Sequence, residues 1–237
     1  MSRKAILALC LVVLLPLIGY LLVSKATRNV VIMPPRYFPD TVINKVVNGK
    51  SVSDTVWHSL KNISLINQLG DSVSLDDLKG DIIVANFFFT RCPSICPTLT
   101  KNMKGLQDAL KMRDPRRQMD VNFVHFLSFS VDPERDSVAT LKKYADKYGV
   151  NPDVWWLLTG PKKTIYDFAF EELKLGIQDG EGIDANFLHT DKFVLIDREK
   201  HVRGYYSGLD ANELSKLAED LTIIMLEKDK KKKRKIF

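Results

Sequence analysis

Apolar and polar residues alternate in blocks that predict an α/β domain. Residues 82–89 are apolar except for Asn86 and rich in β-branched and aromatic side chains, as in a strand buried on both faces of a parallel sheet. Residues 98–112 follow with apolar side chains at helical spacing. The same order recurs in a second apolar strand at 121–131 and a helix ending near Tyr148, which Asp132 to Asp136 are expected to cap.

The remaining pattern predicts a thioredoxin-like fold, with a central mixed sheet flanked by helices. A βαβ half is followed by a β-hairpin and a final helix, which is the order of that sheet. The other predicted elements are short strands at 63–66 and 73, strands at 155–158, 193–197 and 202–206, helices at 162–172 and 210–226, and a loop at 175–186. We expect this domain to span residues 56–226.

The N-terminal part predicts one transmembrane helix. Ala5 to Val23 carry no charge, and nineteen residues of helix measure roughly 28 Å, close to the ~30 Å core of a bilayer. We therefore expect a membrane anchor at 1–24, with a signal peptide as the alternative, although no small-x-small cleavage site follows. Proline-rich residues 25–55 show no helical period and predict a linker.

Charge is concentrated at the C-terminal end. The chain has a formal net charge of +6, of which a basic tail at 227–237 supplies +5 from seven cations and two anions. The rest of the chain carries only +1, so no nucleic-acid surface is predicted. The tail is expected to be a solvated, disordered end, or a weak contact with anionic lipid headgroups.

Two of the three cysteines are candidates for chemistry. Cys10 lies in the apolar segment, whereas Cys92 and Cys96 follow the first central strand where a helix begins. Residues four apart in a regular helix have Cβ atoms roughly 5–6 Å apart, which suits a shared metal better than a disulfide. Pro97 favours a helix that starts at this point, which leaves Cys92 in the loop and makes a disulfide possible too. An inert buried pair is the remaining alternative.

The four histidines differ in their expected roles. His58 and His201 are predicted at the surface, and His125 in the core of the second central strand. His189 ends a glycine-containing loop and precedes an apolar strand, a position that faces the cysteine turn in a thioredoxin-like sheet. Two thiolates and one imidazole suit Cu(I) and can also hold Cu(II) or zinc.

Four motifs give the chain a resemblance to a known family. They are FTRCPSICP at 89–97, VDPERD at 131–136, LTG at 158–160, and His189-Thr190 before an apolar strand. Together they closely resemble the Sco/SenC family of membrane-anchored, thioredoxin-like copper proteins. The resemblance implies copper bound by Cys92, Cys96 and His189, with Asp132 near the site. Where family members usually carry an acidic residue just before the histidine, this chain has Leu188, and Thr190 or Asp191 is expected to support the imidazole instead.

The function implied by the resemblance is a copper metallochaperone for the CuA centre of cytochrome c oxidase subunit II, or for another copper oxidase. The alternative is a thiol-disulfide reductase that acts on the cysteines of the same partner. A peroxidase is disfavoured by the second cysteine and the loop histidine. The implied location is the bacterial inner membrane, with a single span and a soluble domain facing the periplasm, where an upstream copper donor is a further expected partner.

Overall fold

The computed structural model describes residues 12–23, 32–47, 50–111, 123–178 and 190–233. The chain divides into two compact units, Met1–Met33 and Pro34–Phe237. In the first unit, residues 12–23 form helix α1. Across the parts of the chain that the structure describes, no helix combines the length and hydropathy required to span a membrane.

A five-stranded mixed sheet forms the centre of the second unit. Its order is β7-β6-β5-β8-β9; the first three strands are mutually parallel, β8 is antiparallel to β5, and β9 is antiparallel to β8. These strands are β5 (Ile82–Phe88), β6 (Val124–Ser130), β7 (Trp155–Leu158), β8 (Lys192–Ile196) and β9 (Val202–Ser207). Two hairpins lie outside this sheet, β1 (Pro39–Val47) with β2 (Lys50–Trp57), and β3 (Ser64–Ile66) with β4 (Ser72–Ser74). The thioredoxin-like mixed sheet predicted from the sequence is confirmed.

Helices cover both faces of the sheet. Every residue of β5 and β6 is buried, and alternate side chains of β5 enter two separate hydrophobic clusters. One face packs against α2 (Cys96–Lys111), α3 (Val138–Tyr148) and α6 (Ala211–Lys233); the other packs against α4 (Lys162–Asp167) and the π-helical turn Phe168–Glu172. A short helix, α5 (Leu175–Gln178), follows. Both clusters lie within the unit Pro34–Phe237, which therefore has its own core.

The structure differs from the predicted linker at 25–55. Residues 39–47 and 50–57 pair as an antiparallel hairpin, because β-branched residues such as Val42, Ile43 and Val56 favour extended backbone. A test for helical periodicity alone does not detect such a segment.

Three helix boundaries also differ from the predictions. The N-cap of α3 is Ser137, whose hydroxyl accepts from the Thr140 amide, and not a residue of the preceding Asp132–Asp136 stretch. The loop predicted at 175–186 begins with α5, and its residues 179–186 lie outside the described part of the chain. Helix α6 continues seven residues beyond Leu226, so the basic tail is helical as far as Lys233. Residues 112–122 also lie outside the described part of the chain.

Candidate metal centre

Cys92 and Cys96 lie at the carboxyl edge of the parallel strands. Strand β5 ends at Phe88, Cys92 occupies the turn that follows, and Cys96 is the first residue of α2. Both are free thiols, 6% and 2% exposed respectively. The strand-to-helix connection therefore presents both sulfurs in one turn, which is the position that the sequence predicted for them.

The Cys92 sulfur takes the place of a helix cap. The backbone N–H of Cys96 donates to the Sγ atom of Cys92 over 3.4 Å, and the hydroxyl of Ser94 lies 3.7 Å from the same sulfur. The first N–H groups of a helix have no partner within the helix, and they favour a negative charge at this position. This arrangement stabilises Cys92 as a thiolate.

The two thiols differ in acidity. Burial opposes ionisation of Cys92, but hydrogen bonds from the Cys96 thiol and from backbone and hydroxyl donors of Cys96 and Ser94 outweigh it, so its pKa lies below the usual value. Burial, together with donation to Cys92, raises the pKa of Cys96 to about 12. The Cys92 thiol therefore loses its proton more readily than the Cys96 thiol.

A buried carboxylate braces the cysteine turn. Asp136, which is fully buried, accepts hydrogen bonds from the backbone N–H and the hydroxyl of Thr90, over 3.2 and 2.5 Å, and from the hydroxyl of Ser130 over 2.6 Å. Thr90 precedes Cys92 by two residues, so this carboxylate ties the cysteine turn to the end of β6. Sequence reasoning gave Asp136 a capping role only. Local sequence carried no signal for the bracing role, because Thr90 lies 46 residues away in the chain.

Asp132 lies at the same edge of the sheet. It follows β6, which runs beside β5 in register from Ile82 and Val124 to Phe88 and Ser130. Its backbone N–H donates to the Ser130 hydroxyl, and its carboxylate lies 3.3 Å from the Arg135 guanidinium. Asp132 is thus positioned by β6, with its carboxylate engaged by a neighbouring cation.

His189 lies outside the described residues, and the chain that follows it returns beside α2. Thr190 is buried and its hydroxyl accepts from the Lys192 amide. The Gly208 amide donates to the Asp191 carbonyl, and a Cβ atom at Gly208 would lie 2.5 Å from Leu99, three residues beyond Cys96. The segment directly after His189 is therefore fixed against the first turns of the cysteine helix. The Asp191 carboxylate accepts from the Ser207 hydroxyl.

The other histidines lie elsewhere. His125 is buried, as predicted, with Nδ1 3.4 Å from the Asp81 carboxylate but without hydrogen-bond geometry. The surface predictions for His58 and His201 are wrong. His58 lies 3.1 Å from the Glu172 carboxylate, and His201 is mostly buried, with Nδ1 3.4 Å from Asp197. Both histidines pack against carboxylates contributed by distant or turn segments, which local sequence patterns do not indicate.

The donors that the structure brings together fit a soft metal ion. Two adjacent sulfurs, one of them stabilised as a thiolate, are the ligands that Cu(I) prefers, and zinc also accepts them. Within the described ranges, no group of three or more His, Cys, Asp and Glu side chains is arranged for a metal ion. The cysteine pair is therefore the described part of the centre.

Comparison with known proteins identifies relatives of this chain. A model of the SCO1/SenC family matches residues 58–225. The SCO1 protein homolog of Bacillus subtilis is 34% identical over 174 residues, covering 73% of this chain and 86% of the relative. The structure of BsSco matches with a TM-score of 0.58 and 31% identity, over 71% of this chain and 94% of that chain. BsSco is described as a member of the Sco family of cytochrome c oxidase assembly proteins with a disulfide switch. Bradyrhizobium japonicum ScoI, solved with copper bound, matches with a TM-score of 0.53 and 25% identity over 70% and 99%.

Proposed function

We propose that this chain, which belongs to the SCO1/SenC family, is a copper metallochaperone that delivers copper to the CuA centre of cytochrome c oxidase subunit II. The observation that carries the proposal is the pair of buried, reduced thiols of Cys92 and Cys96 at the N-terminus of α2. Relatives in this family include one solved with copper bound and one named for oxidase assembly.

Copper is the cargo, and three side chains would hold it. Cys92 and Cys96 supply thiolates and His189 an imidazole, a set that suits Cu(I) and can also hold Cu(II). Binding releases the thiol protons, and the proton of Cys96 is the more costly to remove because its pKa is about 12. The N–H groups at the start of α2 offset part of that cost by stabilising negative charge on sulfur.

Neighbouring groups would hold the donors in place. Asp136 fixes the turn that carries Cys92 through Thr90. We assign Asp132, at the same edge, a positioning role for the site or the partner. Thr190 or Asp191 would support the imidazole of His189, as outer partners commonly do for ligating histidines. A pre-set turn also leaves the thiols ready to exchange copper with partner ligands without rearranging α2.

The partner is subunit II of cytochrome c oxidase or another copper oxidase, with an upstream periplasmic protein as copper donor. We propose that residues 1–24 anchor the chain once across the bacterial inner membrane, so that the domain faces the periplasm. Along 12–23 the apolar side chains are largely exposed, for example Val12 at 71% and Leu22 at 65%. Lipid is the environment in which such an apolar surface is favourable.

A second function, thiol-disulfide reduction, is favoured by the unequal acidity of the two thiols. The Cys92 thiolate would attack a partner disulfide, form a mixed disulfide and release one partner thiolate. Cys96, after transferring its proton to that leaving sulfur, would then attack the Cys92 sulfur. This releases the second partner sulfur as a thiolate and leaves a Cys92–Cys96 disulfide, so two electrons pass to the partner. The pKa difference gives the attacking and resolving sulfurs distinct roles.

Copper titration tests the ligand set. The reduced protein under argon is titrated with Cu(I) against a competing chelator. We expect one tight equivalent in the wild type, and in His189→Ala a loss greater than the roughly 10–100-fold that follows removal of an outer partner. His58→Gln is the matched control, since His58 pairs with Glu172 and not with the cysteines. Wild-type Cu(I) affinity in His189→Ala would refute the proposed site.

A transfer experiment separates the two functions. Copper-loaded protein is mixed with the soluble domain of subunit II whose cysteines have been reduced beforehand, and the copper content of each is measured after separation. Transfer without any change in thiol count supports the chaperone. If copper stays behind, while the copper-free reduced protein converts an oxidised partner to free thiols, the reductase is the function.

A further inference from the structure

Cys96 is held through its backbone on both sides. Its N–H donates to the Cys92 sulfur over 3.4 Å, and its carbonyl accepts from the Thr100 hydroxyl over 2.8 Å. The backbone of Cys96 therefore affects both sulfurs, because it carries one of them and its amide contacts the other. A group that holds this backbone in place also holds the cysteine pair.

A buried tyrosine of α3 contacts Thr100. Thr100 and Tyr144 are 4% and 8% exposed, and their hydroxyl oxygens lie 2.8 Å apart. A threonine hydroxyl has a single proton. The Thr100 proton is directed to the Cys96 carbonyl, so the second hydrogen bond takes its proton from Tyr144. Burial raises the pKa of the Tyr144 hydroxyl above its usual value, so this donor keeps its proton at neutral pH.

Aromatic packing fixes the position of the Tyr144 hydroxyl. The centroid of the Tyr144 ring lies 5.3 Å from that of Phe88 and 4.7 Å from that of Tyr148. Phe88 is the last residue of β5, so the ring packs against the end of the strand that leads into the cysteine turn. Close packing on this side leaves the ring little rotamer freedom. Tyr144 therefore presents its hydroxyl to Thr100 from a fixed place.

Helix α3 and the residue before its N-cap thus contact the cysteine turn at two places. Asp136 accepts from Thr90, two residues before Cys92. Tyr144 reaches the first turn of α2 through Thr100, four residues after Cys96. The turn is therefore held both before its first sulfur and after its second. Groups that are already ordered lose less conformational entropy when a ligand binds, which increases affinity.

We propose that Tyr144, acting through Thr100, is a positioning residue that holds Cys96, and with it both sulfurs, in the arrangement that binds copper. The proposal rests on the copper site of the proposed function, whereas the hydrogen bonds and their burial do not. Neither Tyr144 nor Thr100 would touch the metal. Without the Tyr144 hydroxyl, the Thr100 hydroxyl loses a buried donor and can turn away from the Cys96 carbonyl, so the first turn of α2 is less firmly held.

Cu(I) titration against a competing chelator tests the positioning role. Tyr144→Phe and Thr100→Val each remove one hydroxyl with little change of shape. Each should weaken Cu(I) binding about fivefold, since one buried hydrogen bond contributes roughly that factor to an equilibrium constant. The double variant should lose little more than either single variant, because both changes break the same chain of hydrogen bonds. Thr100→Ser keeps the hydroxyl and should restore the affinity that Thr100→Val loses.

Tyr206→Phe is the matched control. It removes another buried tyrosine hydroxyl from the same hydrophobic cluster, one that donates to Asp220 of α6 over 2.6 Å. Its urea midpoint should fall at least as much as that of Tyr144→Phe, because its acceptor is a carboxylate. Its Cu(I) affinity should stay at the wild-type value. Equal losses of affinity in Tyr206→Phe and Tyr144→Phe would attribute both to lower stability and would overturn the proposal, as would wild-type affinity in Tyr144→Phe.

Labelling of Cys96 by iodoacetamide, without metal, gives a second measurement. Cys96 is 2% exposed, so the reagent reaches it only when the first turn of α2 opens locally. We expect Cys96 to react about fivefold faster in Tyr144→Phe than in the wild type, and at the wild-type rate in Tyr206→Phe. Unchanged labelling in Tyr144→Phe would refute the positioning role.

The two measurements also separate this role from the copper site itself. Absence of a tight Cu(I) equivalent in the wild type would refute the copper site of the proposed function. A tight wild-type equivalent, together with unchanged affinity and labelling in Tyr144→Phe, would refute only the role of Tyr144.

Discussion

Removal of the Asp136 carboxylate should destabilise the domain and loosen the cysteine turn together. In Asp136→Ala three donors lose their acceptor, namely the hydroxyl of Ser130 and the backbone N–H and hydroxyl of Thr90. Ser130 is fully buried, so its unsatisfied hydroxyl costs about 1–3 kcal/mol. Thr90 is half-buried, and water can replace part of what it loses, which leaves roughly another 1 kcal/mol.

The expected loss is therefore about 2–4 kcal/mol in the free energy of unfolding. For a slope of about 2 kcal/mol per molar urea, the midpoint should fall by roughly 1–2 M. Asp136→Asn should cost only about 1 kcal/mol, because its carbonyl can still accept from Ser130 and the Thr90 amide while the Thr90 hydroxyl turns to accept from the new NH2 group. A stability that rises from Asp136→Ala to Asp136→Asn to the wild type would indicate that Asp136 acts through its hydrogen bonds.

Urea unfolding followed by circular dichroism measures the stability, and Cu(I) titration measures the site. Ser137→Ala is the matched control, because it removes the N-cap of α3, next to Asp136, at a cost of about 1 kcal/mol without a contact to the cysteine turn. Copper affinity should fall about tenfold in Asp136→Ala and stay unchanged in Ser137→Ala. A midpoint shift no larger than that of Ser137→Ala, or wild-type copper affinity, would refute the bracing role.

Three further outcomes are expected. Near pH 8, iodoacetamide should label Cys92 much faster than Cys96, because the pKa of Cys92 is lowered and that of Cys96 is about 12. The difference in labelling rate should vanish in urea, and equal rates in the folded protein would contradict the prediction. Burial lowers the pKa of His125, so the unfolded chain takes up the proton at a higher pH than the folded protein, and stability falls as the pH drops through about 6.5. His125→Gln should flatten that part of the curve of stability against pH. A curve parallel to that of the wild type would contradict the prediction. Arg203→Met should lower the free energy of unfolding by about 3 kcal/mol in urea, because it leaves Asp197 buried without its closest cation. Copper affinity should not change, because Asp197 lies near the start of β5 and Cys92 lies beyond its end. A loss of copper affinity as large as the loss of stability would contradict that separation.

Elements with strong local patterns could be predicted well. The apolar run of β5 and the helical spacing of α2 each contain enough local information, since burial on both faces and an apolar stripe leave a direct mark on residue order. The cysteine pair was identifiable for the same reason, because its spacing and Pro97 define a strand-to-helix turn. The hairpin at 39–57 also had a signal, Asn48-Gly49 between β-branched segments, which a search for alternation finds.

Asp136 shows what local patterns leave undecided. A carboxylate before a helix is compatible with capping, and here Ser137 takes that role while Asp136 is buried between Thr90 and Ser130. Thr90 is 46 residues away in the chain. The sheet places the ends of β5 and β6 side by side, and only that placement makes a brace out of a residue that could cap.

Residue order alone was enough for the fold class, the family and the position of the cysteine pair, because each depends on short motifs and on periodic burial. Contacts between distant segments decided the rest. Burial, which raises the pKa of Cys96, and hydrogen bonds across the cysteine turn, which lower the pKa of Cys92, separate the acidity of the two thiols. Arg203 joins the carbonyl of Pro34, 169 residues away, to the carboxylate of Glu227 in α6. Such contacts form only when the folded sheet brings their partners within hydrogen-bonding distance, so the sequence carries the groups but not their pairing.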